Sequence, residues 1–127
     1  MDSNSYESIA KRDLKEAKIL YEHDAYNTAA RLAQQCVEKI MKAKLEATGD
    51  TAIYKLLKVH NLTLLYKAMV DKGLLTYEKE VRDYLAVLKD YYFDLNYPGE
   101  NYWELEQTDA NEAILFAQDF FERLVGN

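Results

Sequence analysis

The sequence predicts an all-α protein, an up-and-down bundle of four long helices with one short additional helix. Apolar residues recur at helical spacing along most of the 127 residues. The chain has only four glycines and one proline, too few for the many turns of a β-sandwich. Its length is enough to bury one sizeable core, so residues 1–127 are expected to form a single domain.

The first helix is expected from about Tyr6 to Glu22. Its apolar residues step by three or four positions and therefore share one face of a helix. These residues are Tyr6, Ala10, Leu14, Ala17 and Tyr21. Asn4, followed three positions later by Glu7, is a candidate N-cap pair.

The second helix, expected within Ala25 to Asp50, is the most distinctive stretch of the chain. It is apolar on a broad arc and contains no proline, so several neighbouring helices must cover it. Asp24 is expected to cap its start, and Thr48-Gly49 to close it. The stretch is therefore predicted to be the middle helix of the bundle.

The remaining helices follow from turn signals. Residues 51–58 are expected to be a short helical connector, followed by a third helix from about His60 to Asp71 that stops at Gly73. A fourth helix is expected from Thr76 to near Asn96, because Pro98 cannot continue the hydrogen-bond ladder. Its apolar seam is Tyr77, Val81, Tyr84, Leu88, Tyr91 and Leu95. Thr108 is expected to cap the fifth helix, whose inner face is Ala113, Ala117, Phe120 and Leu124.

Charge is distributed unevenly along the chain. The net charge is −6, which argues against a general nucleic-acid-binding surface. Residues 1–89 hold 15 of the 16 Lys and Arg against 13 acids, a net of +2. Residues 90–127 hold Arg123 against nine acids, a net of −8. Any polyanionic partner would therefore have to meet the first two-thirds of the chain.

Several protein classes are disfavoured by the sequence. It has no run of eighteen apolar residues, so no membrane span is expected, and its polar N-terminus shows no secretory signal. Cys36 has no partner for a disulfide, which fits a cytoplasmic protein and a small buried hydrophobe. Two distant histidines, one cysteine and isolated glycines predict no metal site and no phosphate-binding loop, so no cofactor is expected.

Two groups of residues are candidates for binding. Arg31, Gln35, Lys39 and Lys42 form one polar stripe of the second helix, which either holds an anion or is a solvated face with i,i+4 pairs. His60 either bonds a neighbouring helix or contacts a ligand, whereas His23 is expected to be solvated at a helix end. The second group is aromatic and surrounds Pro98: Tyr91, Tyr92, Tyr97, Tyr102 and Trp103. Such rings either stack on a flat ligand or pack in a core or dimer interface.

The sequence resembles the HEPN family (higher-eukaryote and prokaryote nucleotide-binding domain). In the second helix the matching residues are Tyr26, Ala29-Ala30, Ala33-Gln34-Gln35, Glu38-Lys39 and Lys42-Ala43. Asp13-Leu14 with Ala17, His60-Asn61-Leu62 with Leu65, and Tyr97-Pro98 resemble the family's first, third and terminal segments. The resemblance covers nearly the whole chain and implies a helical bundle that usually forms a homodimer.

The sequence departs from the ribonuclease members of that family. Their Arg-x4–6-His motif is missing, because Lys18 and Lys55 stand where arginine would precede His23 and His60. Asn96 replaces the arginine often found before Tyr-Pro. The resemblance then points to the non-catalytic branch, which binds a ligand or a partner. The polar stripe, His60 and the residues around Pro98 supply the candidate ligand-binding set: Arg31, Gln35, Lys39, Lys42, His60, Asn96, Tyr97, Tyr102 and Trp103.

Three functions remain open from the sequence. The first is a homodimer that binds a nucleotide or other small ligand, or that serves as accessory subunit to a nucleotidyltransferase. The second is a metal-independent ribonuclease toxin with displaced groups, using His60 with Lys39, Lys42 or Lys55. The third is a structural module that dimerises or docks to a larger partner.

Overall fold

The structure, a computed structural model, describes residues 5–94 and 104–125, without the side chains of residues 92–94. These residues form five α-helices, two 3₁₀ turns and no strand. The helices are α1 (Tyr6–Glu22), α2 (Tyr26–Glu46), α3 (Leu62–Asp71), α4 (Lys79–Asp94) and α5 (Gln107–Val125). Four are long and α3 is short, so the predicted all-α bundle with one short additional helix is confirmed.

Helix α1 has the predicted bounds and the predicted buried face. Ala10, Leu14 and Ala17 are buried against the core. The predicted Asn4–Glu7 cap is wrong, because the N-cap is Ser5, whose Oγ accepts a hydrogen bond from the backbone N–H of Ser8 at 3.1 Å. The serine at the N-cap satisfies one of the helix's unpaired N–H groups.

Helix α2 is the central element of the fold, as predicted. No residue from 25 to 45 is exposed, because α2 packs against α1, α3, α4 and α5. Cys36 is fully buried on this helix, and burial, with a further contribution from Asp13, raises the pKa of its thiol to about 12. Thiols with so high a pKa are inert, which confirms Cys36 as a small buried hydrophobe.

The ends of α2 differ from the prediction. Asp24 does not cap the helix: the N-cap is Ala25, which makes no side-chain cap. Asp24 instead adopts a left-handed conformation with φ 63°, and its carboxylate accepts a hydrogen bond from the Tyr26 hydroxyl at 2.9 Å. At the other end the chain leaves α2 through Thr48 and Gly49, and Gly49 has φ 73°.

The connection from α2 to α3 is helical, as predicted, and consists of the 3₁₀ turns Thr51–Ile53 and Leu56–Lys58. Helix α3 begins two residues later than expected, because Asn61 is its N-cap and accepts hydrogen bonds from the N–H groups of Thr63 and Leu64. It ends before Gly73, whose φ of 75° is the left-handed geometry of a helix C-terminus.

The last two helices also start differently from the prediction. Helix α4 begins at Lys79 rather than Thr76, because the Tyr66 hydroxyl donates to the Thr76 carbonyl and accepts from the Glu78 N–H, holding the preceding turn. Tyr77 is more than half exposed and is not part of the core seam. Helix α5 begins at Gln107, so Thr108 lies within it.

The predicted inner face of α5 is correct, since Ala113, Ala117, Phe120 and Leu124 are all buried. Leu95 and Pro98, which the predicted end of α4 involved, lie outside the described residues. Among the helices of residues 5–94 and 104–125, none has the length and apolar character required to cross a membrane.

Candidate functional site

A buried carboxylate, Glu38, is the centre of the candidate site. It lies on α2 and is 1% exposed. The Lys42 ammonium donates to its Oε2 at 3.1 Å, and the Gln34 amide donates to its Oε1 at 3.4 Å. The three residues follow one another at i,i+4 spacing and therefore share one face of α2.

His60 approaches the same carboxylate from outside α2. Its Nδ1 lies 3.2 Å from Oε1 and 3.1 Å from Oε2 of Glu38. An ionised carboxylate only accepts hydrogen bonds, so a hydrogen bond between these atoms requires the proton to be on Nδ1. His60 immediately precedes the Asn61 cap of α3, which fixes the chain at this point. Its side chain is 46% exposed, so the imidazole joins the buried carboxylate to the surface.

Lys39 is the third cation at this carboxylate. Its Nζ lies 3.9 Å from Oε2 of Glu38, and its side chain is about one-fifth exposed. Lys42 is by contrast nearly fully buried. We name Gln34, Glu38, Lys39, Lys42 and His60 the Glu38 cluster. Two lysines against one carboxylate give it a net charge of +1 with neutral His60.

The burial of Lys42 bears on the two interpretations of the polar stripe, an anion-binding surface or a solvated face. A solvated face is wrong for Lys42, whose charge is buried and compensated by Glu38. Lys39, Gln35 and Arg31 are half-buried on the same helix. The stripe is thus a partly covered polar face, and Lys39 and His60 are the members of the Glu38 cluster that reach solvent.

Two titratable residues of α1, Asp13 and Tyr6, interact electrostatically with residues of the Glu38 cluster. Burial raises the pKa of the Asp13 carboxyl, and the charge of Lys39 opposes this shift. Asp13 Oδ2 is buried without a hydrogen-bond partner among the described residues. Burial raises the pKa of Tyr6 as well, with contributions from Glu46 and Glu38.

The remaining predicted site residues are not brought to this cluster by any contact that the structure describes. Asn96, Tyr97, Tyr102 and Trp103 lie outside the described residues. Tyr91 is buried in the core, and burial, with Asp109 and Glu112, raises its pKa to about 12. His23 is exposed at the C-cap of α1, as expected.

Sequence reasoning missed the residue at the centre of the site. Glu38 and Gln34 were named only for the family resemblance of the second helix, and both were left out of the candidate binding set. A glutamate within the apolar arc of a central helix, with Lys42 four residues on, was the signal that could have revealed the pair. No group of three or more His, Cys, Asp or Glu residues suited to a metal ion occurs in the described part of the chain.

Comparison with known proteins identifies the family. The HEPN domain profile matches residues 5–127. The fold is similar to the crystal structure of ST0689, an archaeal HEPN homologue, with a TM-score of 0.70 and 25% sequence identity over 95% of this chain and 93% of that one. No curated protein matched the sequence. The chain belongs to the HEPN family, which confirms the resemblance seen in its sequence.

Proposed function

We propose that this HEPN protein binds a nucleotide or a related phosphate-bearing small ligand at the Glu38 cluster, without itself catalysing a reaction. The observation that carries the proposal is the convergence of Lys39, Lys42 and His60 on one buried carboxylate. Lys39 and His60, which reach solvent, contact the anion. The buried pair of Glu38 and Lys42 positions Lys39 and His60.

Glu38 serves the proposed site by orienting its donors. A carboxylate that accepts from His60 Nδ1 fixes the ring, so that a protonated His60 directs its Nε2–H away from Glu38. A lysine ammonium binds phosphate as a compact point charge, and the two donors together favour a multiply charged oxyanion. Arg31 and Gln35, on the same face of α2, would contact the rest of the ligand.

Isothermal titration calorimetry with ATP, AMP and inorganic phosphate tests this binding. We expect Lys39→Met and His60→Ala each to weaken binding about tenfold or more, because a hydrogen bond to a charged group contributes about 1.5–3 kcal/mol. Lys67→Met is the matched control, because Lys67 is an exposed lysine paired with Asp71 on α3. If the wild type binds none of the three ligands, or if the three variants bind equally, the proposal is wrong.

The same geometry favours one second candidate, a metal-independent ribonuclease. Of the displaced groups that the sequence suggested, His60, Lys39 and Lys42 lie at Glu38. Lys55 is exposed, and no contact that the structure describes brings it to Glu38. A carboxylate-oriented imidazole is an ordinary general acid–base arrangement. RNA cleavage in excess EDTA by wild type but not by His60→Ala would support this function, whereas equal cleavage by both proteins would indicate contamination.

We further propose that the protein is a homodimer. Family membership supports this assembly, together with Leu64 and Tyr77, which are about half exposed beside a groove of about 460 Å³ on α3. Light scattering at several concentrations would detect the dimer, and Leu64→Asp is expected to weaken it. A strict monomer at all concentrations would contradict the assembly.

A role as accessory subunit to a nucleotidyltransferase is a further part of the proposal. In such a pair the transferase would supply the metal and the chemistry, and the HEPN chain would supply a binding surface. Co-purification with a nucleotidyltransferase encoded next to this chain would support the role. Separate elution of the two purified proteins at micromolar concentrations would contradict it.

A further inference from the structure

A groove lies between α4 and α5, on elements that contribute no side chain to the Glu38 cluster. Its volume is about 530 Å³, and its lining residues are Tyr84, Thr108, Asn111, Glu112, Leu115 and Phe116. The rings of Tyr84 and Phe116 meet across it with centroids 4.7 Å apart. We name it the α4–α5 groove.

The walls of this groove expose apolar side chains. Leu115 on α5 is 59% exposed. Phe116 is half-buried and stacks on Phe120, which belongs to the core. A leucine and two aromatic rings along one groove provide apolar surface of the kind that an amphipathic helix buries when it docks.

The segment that provides five of the six lining residues of the groove is acidic. Residues 104–125 contain one basic residue, Arg123, and six carboxylates, a net of −5. The carboxylates are Glu104, Glu106, Asp109, Glu112, Asp119 and Glu122. Glu112 lines the α4–α5 groove directly and is exposed. A partner with Lys or Arg beside its apolar residues would therefore be electrostatically complementary.

Tyr84 provides a polar group inside the groove. Its hydroxyl is buried and has no hydrogen-bond partner among the described residues. Burial, followed by Tyr91 and the carboxylates of Glu112 and Asp109, raises its pKa far above the usual value, so the hydroxyl keeps its proton. It is a donor, and a backbone or side-chain oxygen of a docked segment would accept its hydrogen bond.

We infer that the α4–α5 groove binds an amphipathic basic helix of another protein, with leucine-like side chains on Leu115 and Phe116 and Lys or Arg beside Glu112. The inference goes beyond ligand binding at the Glu38 cluster and does not depend on it. A second copy of this chain is the less favourable occupant, because two-fold pairing through this face would bring Glu112 and the acidic segment 104–125 of each copy towards the same residues of the other.

Fluorescence anisotropy with two labelled peptides of about 16 residues tests the inference, a length at which such helices form when they bind. One peptide has leucines at i, i+3, i+4 and i+7 and lysines beside them, and the other has glutamates in place of the lysines. We expect the acidic peptide to bind at least about tenfold more weakly, and the affinity of the basic peptide to fall between 50 and 300 mM NaCl.

Two matched pairs of exposed positions locate the binding. Leu115→Ser and Glu112→Gln are expected to weaken the basic peptide about fivefold and about threefold, because they remove apolar contact area and an opposite charge. Ile19→Ser on α1 and Glu122→Gln on α5 make closely matched changes at exposed side chains outside the groove lining and are expected to change nothing. All four variants alter exposed side chains, so each should remain folded.

Three results would overturn the inference. Equal binding of both peptides would exclude the charge recognition. Equal weakening by Leu115→Ser and Ile19→Ser would indicate unspecific adsorption. A wild-type dimer that Leu115→Ser converts to a monomer in light scattering would show that a second copy occupies the groove.

Discussion

At the scale of single residues, the Glu38–Lys42 contact is the most deeply buried ion pair in the part of the chain that the structure describes. Both side chains are nearly excluded from water, and their charged atoms lie 3.1 Å apart. Desolvating two ions costs several kcal/mol each, and their mutual attraction offsets that cost only while both partners are present. Removing one partner therefore leaves an uncompensated charge inside the bundle.

We predict that Glu38→Gln destabilises the protein by about 3–5 kcal/mol, the usual loss when one member of a buried pair is removed. The double variant Glu38→Gln/Lys42→Met should recover a large part of this loss, because no buried charge remains. Urea unfolding measures both values. As a control, Lys67→Met breaks the exposed Lys67–Asp71 pair and should have little effect. A small loss for Glu38→Gln would show that water reaches the pair.

Asp13 leads to a prediction about pH. Its folded-state pKa is raised, chiefly by burial, so the folded protein binds the proton more tightly than the unfolded chain. Stability from this group is present at low pH and is lost as the pH rises through the folded-state value. Asp13→Asn should therefore stabilise the protein at pH 7, by about 1 kcal/mol, because a neutral amide is less costly to bury than a carboxylate, and the gain should shrink towards pH 4.

Urea unfolding of Asp13→Asn at pH 7 and pH 4 measures this difference. Asp83→Asn is the control of opposite sign, because a hydrogen bond from Lys79 lowers the pKa of Asp83. That variant should gain no stability at neutral pH. A loss of stability in Asp13→Asn at pH 7 would mean that the charged form of Asp13 is favoured in the fold.

At the scale of the elements, the start of α3 determines where His60 lies. The Asn61 side chain accepts hydrogen bonds from the N–H groups of Thr63 and Leu64, so the residue before it is held at the edge of α2. This placement brings the His60 imidazole within hydrogen-bonding distance of Glu38. The cap of one short helix thus supports the candidate site on another.

We predict that Asn61→Ala lowers stability by about 1 kcal/mol, the typical effect of losing an N-cap side chain. It should also weaken the contact of His60 with Glu38, because the chain before α3 gains freedom. Thermal unfolding measures the first effect, and the NMR titration of the His60 ring measures the second. Asn61→Asp, which retains a capping oxygen, should behave like the wild type in stability. An unchanged melting temperature in Asn61→Ala would contradict this role of the cap.

Element positions were largely predictable from the sequence, and their ends were not. The helical spacing in α1 and α5 predicted their buried faces, because one face must meet the core whatever its neighbours are. Caps depend on backbone geometry that spacing does not contain. Aspartate is a residue type favoured at N-caps, but Asp24 adopts φ 63° and accepts a hydrogen bond from the Tyr26 hydroxyl instead.

The candidate site was predictable in its parts and not in its centre. Lys39, Lys42 and His60 were named from the sequence, because charges at helical spacing share a face. Their meeting at Glu38 was not foreseen, because His60 lies 22 positions from Glu38 and only the 3₁₀ connection and α3 bring it there. The residue type alone does not show whether a glutamate is exposed or buried, because its burial depends on the helices that pack around it.

At the scale of the whole molecule, the two proposed binding surfaces lie on different elements. The Glu38 cluster is formed by α2 and the residue before the α3 cap, whereas the α4–α5 groove is formed by the two last helices. The first carries a net positive charge, and the second lies in a segment of net charge −5. The acidic α4–α5 groove would repel a phosphate-bearing ligand, and the positive Glu38 cluster would repel a basic helix. Each surface therefore favours its own proposed partner.

Cys36 gives the molecule a built-in measure of how often the bundle opens. The thiolate is the form that reacts with disulfide reagents, and the folded-state pKa of about 12 makes it scarce even apart from full burial. Labelling must therefore wait for α2 to separate from its neighbours. The ratio of the labelling rate of Cys36 in the native protein to its labelling rate in the unfolded chain then gives the equilibrium constant for this opening.

We predict that Cys36 reacts with an aromatic disulfide at least about a thousandfold more slowly in the native protein than in 6 M urea, given an ordinary folding stability. Adding nucleotide should slow it further if the ligand binds only the folded state. Absorbance of the released thiolate at pH 8 measures both rates. If Cys36 reacted almost as fast in the native protein as in urea, α2 would separate from its neighbours without unfolding of the whole bundle. A single cysteine is enough to detect such local opening.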